Sequence, residues 1–105
     1  RLVEQYINDH YAQDITLETL SSLVHINKYY LVHAFKSYKG ISPINYLLQK
    51  RVEEARHLLD TTNYPVTKIA QIAGFSSQSY FSQAFKRMTG ISPNAYRKLQ
   101  KTEEN

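Results

Sequence analysis

The sequence predicts an all-α fold of about seven helices, in which one helical unit is built twice. Three observations carry this prediction. Apolar residues recur at helical spacing through most of the chain, no segment alternates apolar and polar residues as a half-buried strand would, and one short stretch occurs twice. The stretch reads AFKSYKGISP at residues 34–43 and AFKRMTGISP at residues 84–93.

Composition indicates a folded domain with a modest positive charge. The 105 residues include 42% hydrophobic residues, nine tyrosines and four phenylalanines, enough for a packed core. A net charge of +4 favours an anionic partner such as nucleic acid. The lack of cysteine excludes disulfides and thiolate nucleophiles and fits a reducing, cytoplasmic location. No apolar run is long enough for a membrane span, so we expect no membrane partner. The chain starts at Arg1 and not at a methionine, so we expect it to be a fragment of a longer protein.

The nine acidic residues leave two long stretches free of negative charge, residues 19–52 and 61–102. Each stretch contains one copy of the repeat and five or six basic residues. Such basic blocks also arise by chance on solvated faces. Their coincidence with both copies favours a polyanion that both copies touch.

The repeated unit is about thirty residues long. Nine positions between Tyr30 and Tyr46 recur at an offset of 50, ending at Tyr96. Upstream, LSSLVHINKYYL matches IAQIAGFSSQSYF only if the second copy has one additional residue between its two helices. Two copies are too few for a solenoid, which needs three or more repeats.

Each copy reads as a short helix, a turn, a second helix, a stop and a restart. Apolar stripes predict the short helix around residues 17–24 and 66–73. Suitable caps for the second helix are Asn27 in one copy and Ser76 or Ser77 in the other. A glycine, Gly40 or Gly90, follows that helix. A Ser-Pro pair, Ser42-Pro43 or Ser92-Pro93, then starts the next helix.

Further helices are predicted over residues 2 to about 12 and along an amphipathic stretch from Ile44 to Leu59 that joins the copies and fixes their relative orientation. The predicted organisation is a single domain. Its parts are a first helix-turn-helix unit at 1–42, a linker helix at 43–62, a second unit at 63–100 and a frayed tail at 101–105.

A helical wheel separates two faces on the second helix of each copy. The predicted core face holds Leu31, Ala34, Phe35 and Tyr38 in the first copy and Phe81, Ala84, Phe85 and Met88 in the second. The outer face holds Tyr29, Val32, His33 and Lys36 in the first copy and Ser79, Ser82, Gln83 and Lys86 in the second, with Lys28 and Gln78 at the helix starts. The core positions stay apolar, whereas the outer positions change everywhere except at the lysine.

This division suits a helix-turn-helix that places its second helix in the DNA major groove. The shared lysine fits a phosphate contact, which positions without specifying sequence. Glutamine at positions 78 and 83 can pair with adenine, His33 can bond a base edge, and Tyr29 or Val32 can touch a thymine methyl group. Any one of these side chains could instead be an ordinary solvated residue. We assign phosphate contacts to Lys28, Lys36, Lys86 and Arg87.

The segment IAQIAGFSSQSYFSQAFKRMTGISPNAYRK, residues 69–98, resembles the AraC/XylS family of bacterial transcription regulators, and RVEEARHLL resembles the linker helix of that family. The resemblance implies two helix-turn-helix units whose recognition helices enter successive major grooves. It also implies base reading by Tyr29, Val32, His33, Gln78, Ser79, Ser82 and Gln83. The tyrosines of the first unit are similar to those of response-regulator output domains.

The first unit departs from the family pattern at its turn. It has Val24-His25-Ile26 where the second unit has Ala73-Gly74-Phe75-Ser76, and Ser21 stands at the position of Ala70. The usual turn glycine is therefore missing from the first unit.

Two other classes of function are weighed against DNA binding. The four histidines and the serines show no metal-ligand or nucleophile spacing, so we expect no enzyme, metal or cofactor. A helical protein-interaction module using the same outer faces remains the alternative, although such a surface usually presents apolar anchors. We expect double-stranded DNA as the partner, RNA polymerase as a second candidate, and a monomeric isolated domain.

Overall fold

Seven α-helices make up the structure, a computed structural model that describes the backbone of residues 1–104 and the side chains of residues 1–101. The helices are α1 (Leu2–His10), α2 (Leu17–Val24), α3 (Lys28–Lys39), α4 (Pro43–Thr61), α5 (Val66–Ala73), α6 (Gln78–Thr89) and α7 (Pro93–Glu104). Residues 1–104 contain no strand, and the predicted all-α fold class is confirmed. Helix α7 runs past the predicted start of the tail at residue 101, so fraying of the tail stays a prediction, and residue 105 lies outside the described residues.

The chain forms two compact units, Arg1–Lys50 and Arg51–Asn105. The division falls inside α4, so the first half of this helix belongs to one unit and the second half to the other. The role of residues 43–62 as a linker that sets the relation of the units stays a prediction.

The first unit has its core where α1, α2, α3 and the start of α4 meet. Ile7 and Leu20 are completely buried there, and α2 begins with a capping box in which Thr16 and Thr19 bond each other's backbone N–H groups. Other buried members of this core are Val3, Ile15, Leu31, Phe35, Tyr46 and Leu47. The apolar stripe of α2 thus meets the inner face of α3.

In the second unit, aromatic rings pass from the turn through α6 to α7. The ring centroids are 5.0 Å apart for Phe75 and Phe81, 5.7 Å for Phe81 and Phe85, and 5.6 Å for Phe85 and Tyr96. The three phenylalanines are at most 6% exposed. Tilted and edge-to-face pairs of this kind add stability beyond the area that they bury.

Helices α3 and α6 begin and end as their sequences predict. The side-chain oxygen of Asn27 accepts a hydrogen bond from the Tyr30 N–H at 2.8 Å, and that of Ser77, rather than Ser76, accepts from the Tyr80 N–H at 3.0 Å. The N–H of the following glycine, at position 40 or 90, donates to the carbonyl of Lys36 or Lys86 at 2.8 Å. Both glycines have positive φ angles, 85° and 92°, which favour glycine because it lacks a Cβ atom.

The restart after each glycine also follows the predicted pattern. The Ser42 hydroxyl accepts from the Asn45 N–H at 3.2 Å, and the Ser92 hydroxyl accepts from the Ala95 N–H at 3.1 Å. The proline after each serine is the first residue of α4 or α7 and is buried. A cap and a proline therefore begin both helices.

The turns between the paired helices differ by the one predicted residue. Residues 25–27 join α2 to α3, whereas residues 74–77 join α5 to α6. His25 has a φ of 59° and Gly74 has a φ of 101°. In both units, therefore, the backbone leaves the first helix of the pair through the left-handed region. The Ser21 hydroxyl donates to the Ile26 carbonyl, which explains a serine at the position that Ala70 occupies in the second unit.

Two residues of the predicted core face of α3 are not buried. Ala34 is exposed, and Tyr38 is 55% exposed, whereas Ala84 of α6 is buried. Tyr38 turns its hydroxyl to the Glu4 carboxylate at 2.9 Å. Ala34 lines an open groove beside Leu2 and Val24. The prediction for these two positions was wrong because burial depends on what the neighbouring helix covers.

Glu4 connects α1 to the end of α3. Its carboxylate accepts hydrogen bonds from the Lys39 ammonium and the Tyr38 hydroxyl, both at 2.9 Å. The hydrogen bond from Lys39, then that from Tyr38, lowers the pKa of Glu4, and the bond to Glu4 raises the pKa of Lys39. The Tyr46 hydroxyl donates to Asn8 at 2.8 Å alongside. This polar cluster fixes the C-terminal turn of α3.

We predict that His25→Gly stabilises the protein by about 0.5 to 1 kcal/mol. A residue with a Cβ atom costs about 1 to 2 kcal/mol in the left-handed region. Glycine removes this cost, but it loses more conformational entropy on folding, which offsets part of the gain. Urea denaturation measures the free energy of unfolding. His25→Ala keeps the Cβ atom and serves as the control, for which no gain is expected. Equal stabilisation by both substitutions would contradict the role of backbone strain.

We predict that Glu4→Gln lowers the melting temperature at pH 7 but not at about pH 2. The pKa of Glu4 is lowered in the folded state, so its contribution is present above the ordinary carboxyl pKa and is lost as the pH falls through the folded-state value. Melting curves at the two pH values provide the measurement. Asp9→Asn makes the same charge change at an exposed position of α1 and is the matched control. A pH-independent difference for Glu4→Gln would contradict the ionic contribution.

Candidate nucleic-acid interface

The predicted reading residues of α3 lie on its outer side. Tyr29 is 75% exposed, His33 and Lys36 are exposed, and Val32 is half-buried. The Tyr29 and His33 rings, one helical turn apart, pack edge to face with centroids 4.4 Å apart. This pair gives α3 an aromatic outer face that remains accessible to a partner.

The corresponding face of α6 is polar. Gln78, Ser79, Gln83 and Lys86 are exposed, and Ser82 is half-buried. Arg87 is exposed in the last turn of the same helix. Amide and hydroxyl groups on this face can both donate and accept hydrogen bonds, as base edges require.

An ion pair that sequence reasoning missed lies at the start of α3. The Lys28 ammonium donates to the Glu18 carboxylate of α2 at 2.8 Å, and the hydrogen bond from Lys28 lowers the pKa of Glu18. The Lys28 side chain remains 51% exposed, so the ammonium has further donors available for a phosphate. Nothing in the ten-residue separation of Glu18 and Lys28 signals this contact, because the turn between α2 and α3 determines it.

A cleft lies beside the outer face of α3, and we call it the α3 cleft. It has a volume of about 650 Å³ and lies between α3, the start of α2 and the start of α4. Its lining residues are Ile15, Thr16, Leu17, Glu18, Lys28, Tyr29, Val32, His33 and Ile44. Sequence reasoning placed Ile44 on the apolar stripe of the linker helix and assigned it no part in binding. Its counterpart at the offset of 50, Asn94, is polar and so marks a difference between the copies.

The basic residues of the second unit divide into structural and available groups. Arg97 of α7 donates to the Tyr64 and Thr62 carbonyls at 2.7 and 3.3 Å, so it holds the segment between α4 and α5. Lys68 lies 4.5 Å from the centre of the Tyr64 ring. Lys86 and Arg87 remain exposed on α6.

Neither a metal cluster nor a membrane-spanning helix is found in the part of the chain that the structure describes. Within that part, no group of three or more histidine, aspartate or glutamate residues could hold a metal ion. Its helices are too short or too polar to cross a membrane.

Comparison with known sequences places these features in a family. The family described as "Helix-turn-helix domain" matches residues 20–99. A curated relative, the probable transcriptional regulator LumQ of Photobacterium leiognathi, is 41% identical over 95 residues, which are 90% of this chain and 38% of LumQ. The chain thus spans less than half the length of curated relatives such as LumQ.

Solved structures agree in fold. The C-terminal domain of AraT, a response regulator from Geobacillus stearothermophilus, has a TM-score of 0.90 and 41% identity, and the match covers 94% of this chain and 83% of that one. The DNA-binding domain of the global transcriptional factor AdpA, solved in complex with a target DNA, has a TM-score of 0.92 and 29% identity, with coverage of 97% and 92%. From its matched helix-turn-helix domain and its duplicated helical units, the chain belongs to the AraC family.

Proposed function

We propose that the chain binds double-stranded DNA sequence-specifically, as the DNA-binding domain of a transcription regulator. In this proposal α3 and α6 enter successive major grooves, and α4 sets the spacing between the two units. The AdpA domain, which is similar to this chain, was solved with a target DNA. That similarity supports DNA as the partner.

One observation carries the proposal. Phe35 and Phe85 are the same residue and are both buried, whereas the residues assigned to the outer faces of α3 and α6 differ at every position except Lys36 and Lys86. A fold that must repeat requires the same inner face twice. Two different half-sites require two different outer faces, joined by the same phosphate contact.

The outer side chains have the chemistry that base reading requires. The Gln78 and Gln83 amides can bond adenine at two atoms, and the Ser79 and Ser82 hydroxyls can bond several bases. On α3, His33 offers a ring nitrogen, and Tyr29 and Val32 offer apolar contact. Phosphate contacts from Lys28, Lys36, Lys86 and Arg87 would hold the register of both helices.

Further parts of the proposal rest on the family and on similar proteins. AraT is a response regulator, and we propose that this chain likewise acts as the output domain of a regulator in the bacterial cytoplasm. We propose that the isolated domain is monomeric, that RNA polymerase is a second partner, and that the chain catalyses no reaction.

The covalent connection of the two units also favours binding, because it raises the effective concentration of the second unit at the DNA once the first has bound.

A protein-interaction module is the second candidate, because the first unit exposes several large apolar side chains. Leu2 and Tyr30 are each 63% exposed, and the groove beside Ala34 is open. Such a surface can accept the apolar face of a partner helix. Binding to a protein would depend little on salt, whereas DNA binding would weaken steeply as salt rises.

Selection from a random duplex library tests the proposal. The selected duplex is titrated against a scrambled duplex at two salt concentrations. Enrichment of two short half-sites about one helical turn apart, with steep salt dependence, is expected. A folded domain that enriches no sequence and binds all duplexes equally would overturn sequence-specific recognition.

We predict that Gln83→Ala lowers affinity for the selected duplex by about 1 to 3 kcal/mol and relaxes the base preference at one position, because a bidentate contact is lost. Lys86→Ala, three residues along the same helix, should weaken selected and scrambled duplexes alike and reduce the salt dependence. Fluorescence anisotropy with both duplexes measures the two effects. Equal losses on both duplexes for both variants would contradict base reading by Gln83.

We predict that Glu18→Gln strengthens DNA binding, because it releases the Lys28 ammonium from its ion pair. The slope of log affinity against log salt should steepen by up to about one phosphate contact. Asp14→Asn changes the net charge equally at an exposed position outside the α3 cleft and is the matched control. The same gain in both variants would show a general charge effect and would contradict the release of Lys28.

A further inference from the structure

The two units differ in chemistry most clearly at the α3 cleft. Three of its lining residues, Tyr29, Val32 and Ile44, correspond to Ser79, Ser82 and Asn94 at the offset of 50. In the second unit every one of these positions is polar. The cleft is therefore a property of the first unit's sequence and does not follow from the shared fold.

Apolar surface in the α3 cleft faces water. Leu17, Val32 and Ile44 are half-buried, and Tyr29 is among the most exposed side chains of the chain. Leaving apolar area in water is unfavourable, so a partner that covers it gains affinity. Three of the four residues that line the cleft from α3, Tyr29, Val32 and His33, are also those that we assign to base reading, so a DNA major groove would lie over it.

The charges around the cleft suit DNA. Lys28 lines it, and Lys36 follows about two turns later on the same face of α3. Its one acidic lining residue, Glu18, is held in the ion pair with Lys28. Within the major groove, the only apolar group on a base edge is the C5-methyl group of thymine. An apolar cleft with basic residues nearby therefore matches thymine methyl groups better than any other feature of the groove.

We propose that the α3 cleft reads thymine methyl groups through Tyr29, Val32 and Ile44. The half-site of the first unit is accordingly rich in thymine, and the half-site of the second unit is read by hydrogen bonds from Gln78 and Gln83. This inference rests on the proposed DNA-binding function. It adds Ile44, a residue of α4, to the residues that determine specificity.

Deoxyuridine tests the inference because it differs from thymidine only by the missing methyl group. Each thymine of the selected duplex is replaced singly by deoxyuridine, and affinity is measured for the chain without substitutions. Within the first unit's half-site, at least one replacement should weaken binding about fourfold, which corresponds to about 0.8 kcal/mol for one buried methyl group. The half-site whose base preference Gln83→Ala relaxes belongs to the second unit. Replacements there should change affinity less than twofold.

Exchange variants assign the effect to the cleft. Val32→Ser and Ile44→Asn each introduce the residue of the second unit, and each should make the thymine and deoxyuridine duplexes bind equally. Ser37→Ala, at an exposed position of α3 that neither lines the cleft nor is assigned a DNA contact, should leave the discrimination unchanged. Circular dichroism checks that the variants are folded, and the measurement on the native chain needs no variant.

The outcomes separate the two proposals. If the chain prefers no duplex, the proposed function fails and this inference fails with it. If the chain prefers a duplex but deoxyuridine is neutral throughout the first half-site, only the inference is overturned. Retention of full discrimination by both exchange variants would likewise remove the cleft as its source.

Discussion

Each of helices α3 and α6 is held by an aromatic contact that the two units share. Phe35 lies 5.6 Å from Tyr46, and Phe85 lies 5.6 Å from Tyr96, with interplanar angles of 62° and 70°. The contact joins the helix before each glycine to the helix after it, so it fixes the angle at which the chain restarts. The orientation of the outer side chains relative to the helix that follows depends on that angle. This requirement explains why the repeated segment extends beyond its ten similar letters to include the tyrosine.

Features set by local geometry could be predicted from the sequence. The Asn27 cap and the stop at Gly40 each involve a residue and its neighbours within four positions, so residue type and spacing determine them. The same reasoning placed Val32 and Gln83 on outer faces. An extra residue in the second turn followed from aligning the two copies. For the N-cap of α6, the sequence narrowed the candidates to Ser76 and Ser77, and the structure has Ser77.

Features set by distant contacts could not be predicted. Tyr38 has the spacing of a core residue, but its hydroxyl bonds Glu4, 34 positions away, and its ring stays exposed. The ion pair of Glu18 with Lys28 depends on how α2 and α3 are set by the turn at His25. Helical periodicity reports which side of a helix is apolar. It does not report whether another element covers that side.

The ion pairs give helices α3 and α6 different electrostatics. Two of the lysines on α3, Lys28 and Lys39, are bound by carboxylates of α2 and α1 at 2.8 and 2.9 Å. Among the described residues, no carboxylate forms an ion pair with Lys86 or Arg87 of α6. An ammonium already paired with a carboxylate neutralises a phosphate less fully, so fewer of the cations condensed on the DNA are released. In the proposed complex α6 would therefore contribute more of the salt-dependent affinity. In the same proposed complex, the first unit, with its partly neutralised charge and apolar cleft, would contribute through shape and methyl contacts, so the duplicated fold would combine two modes of binding.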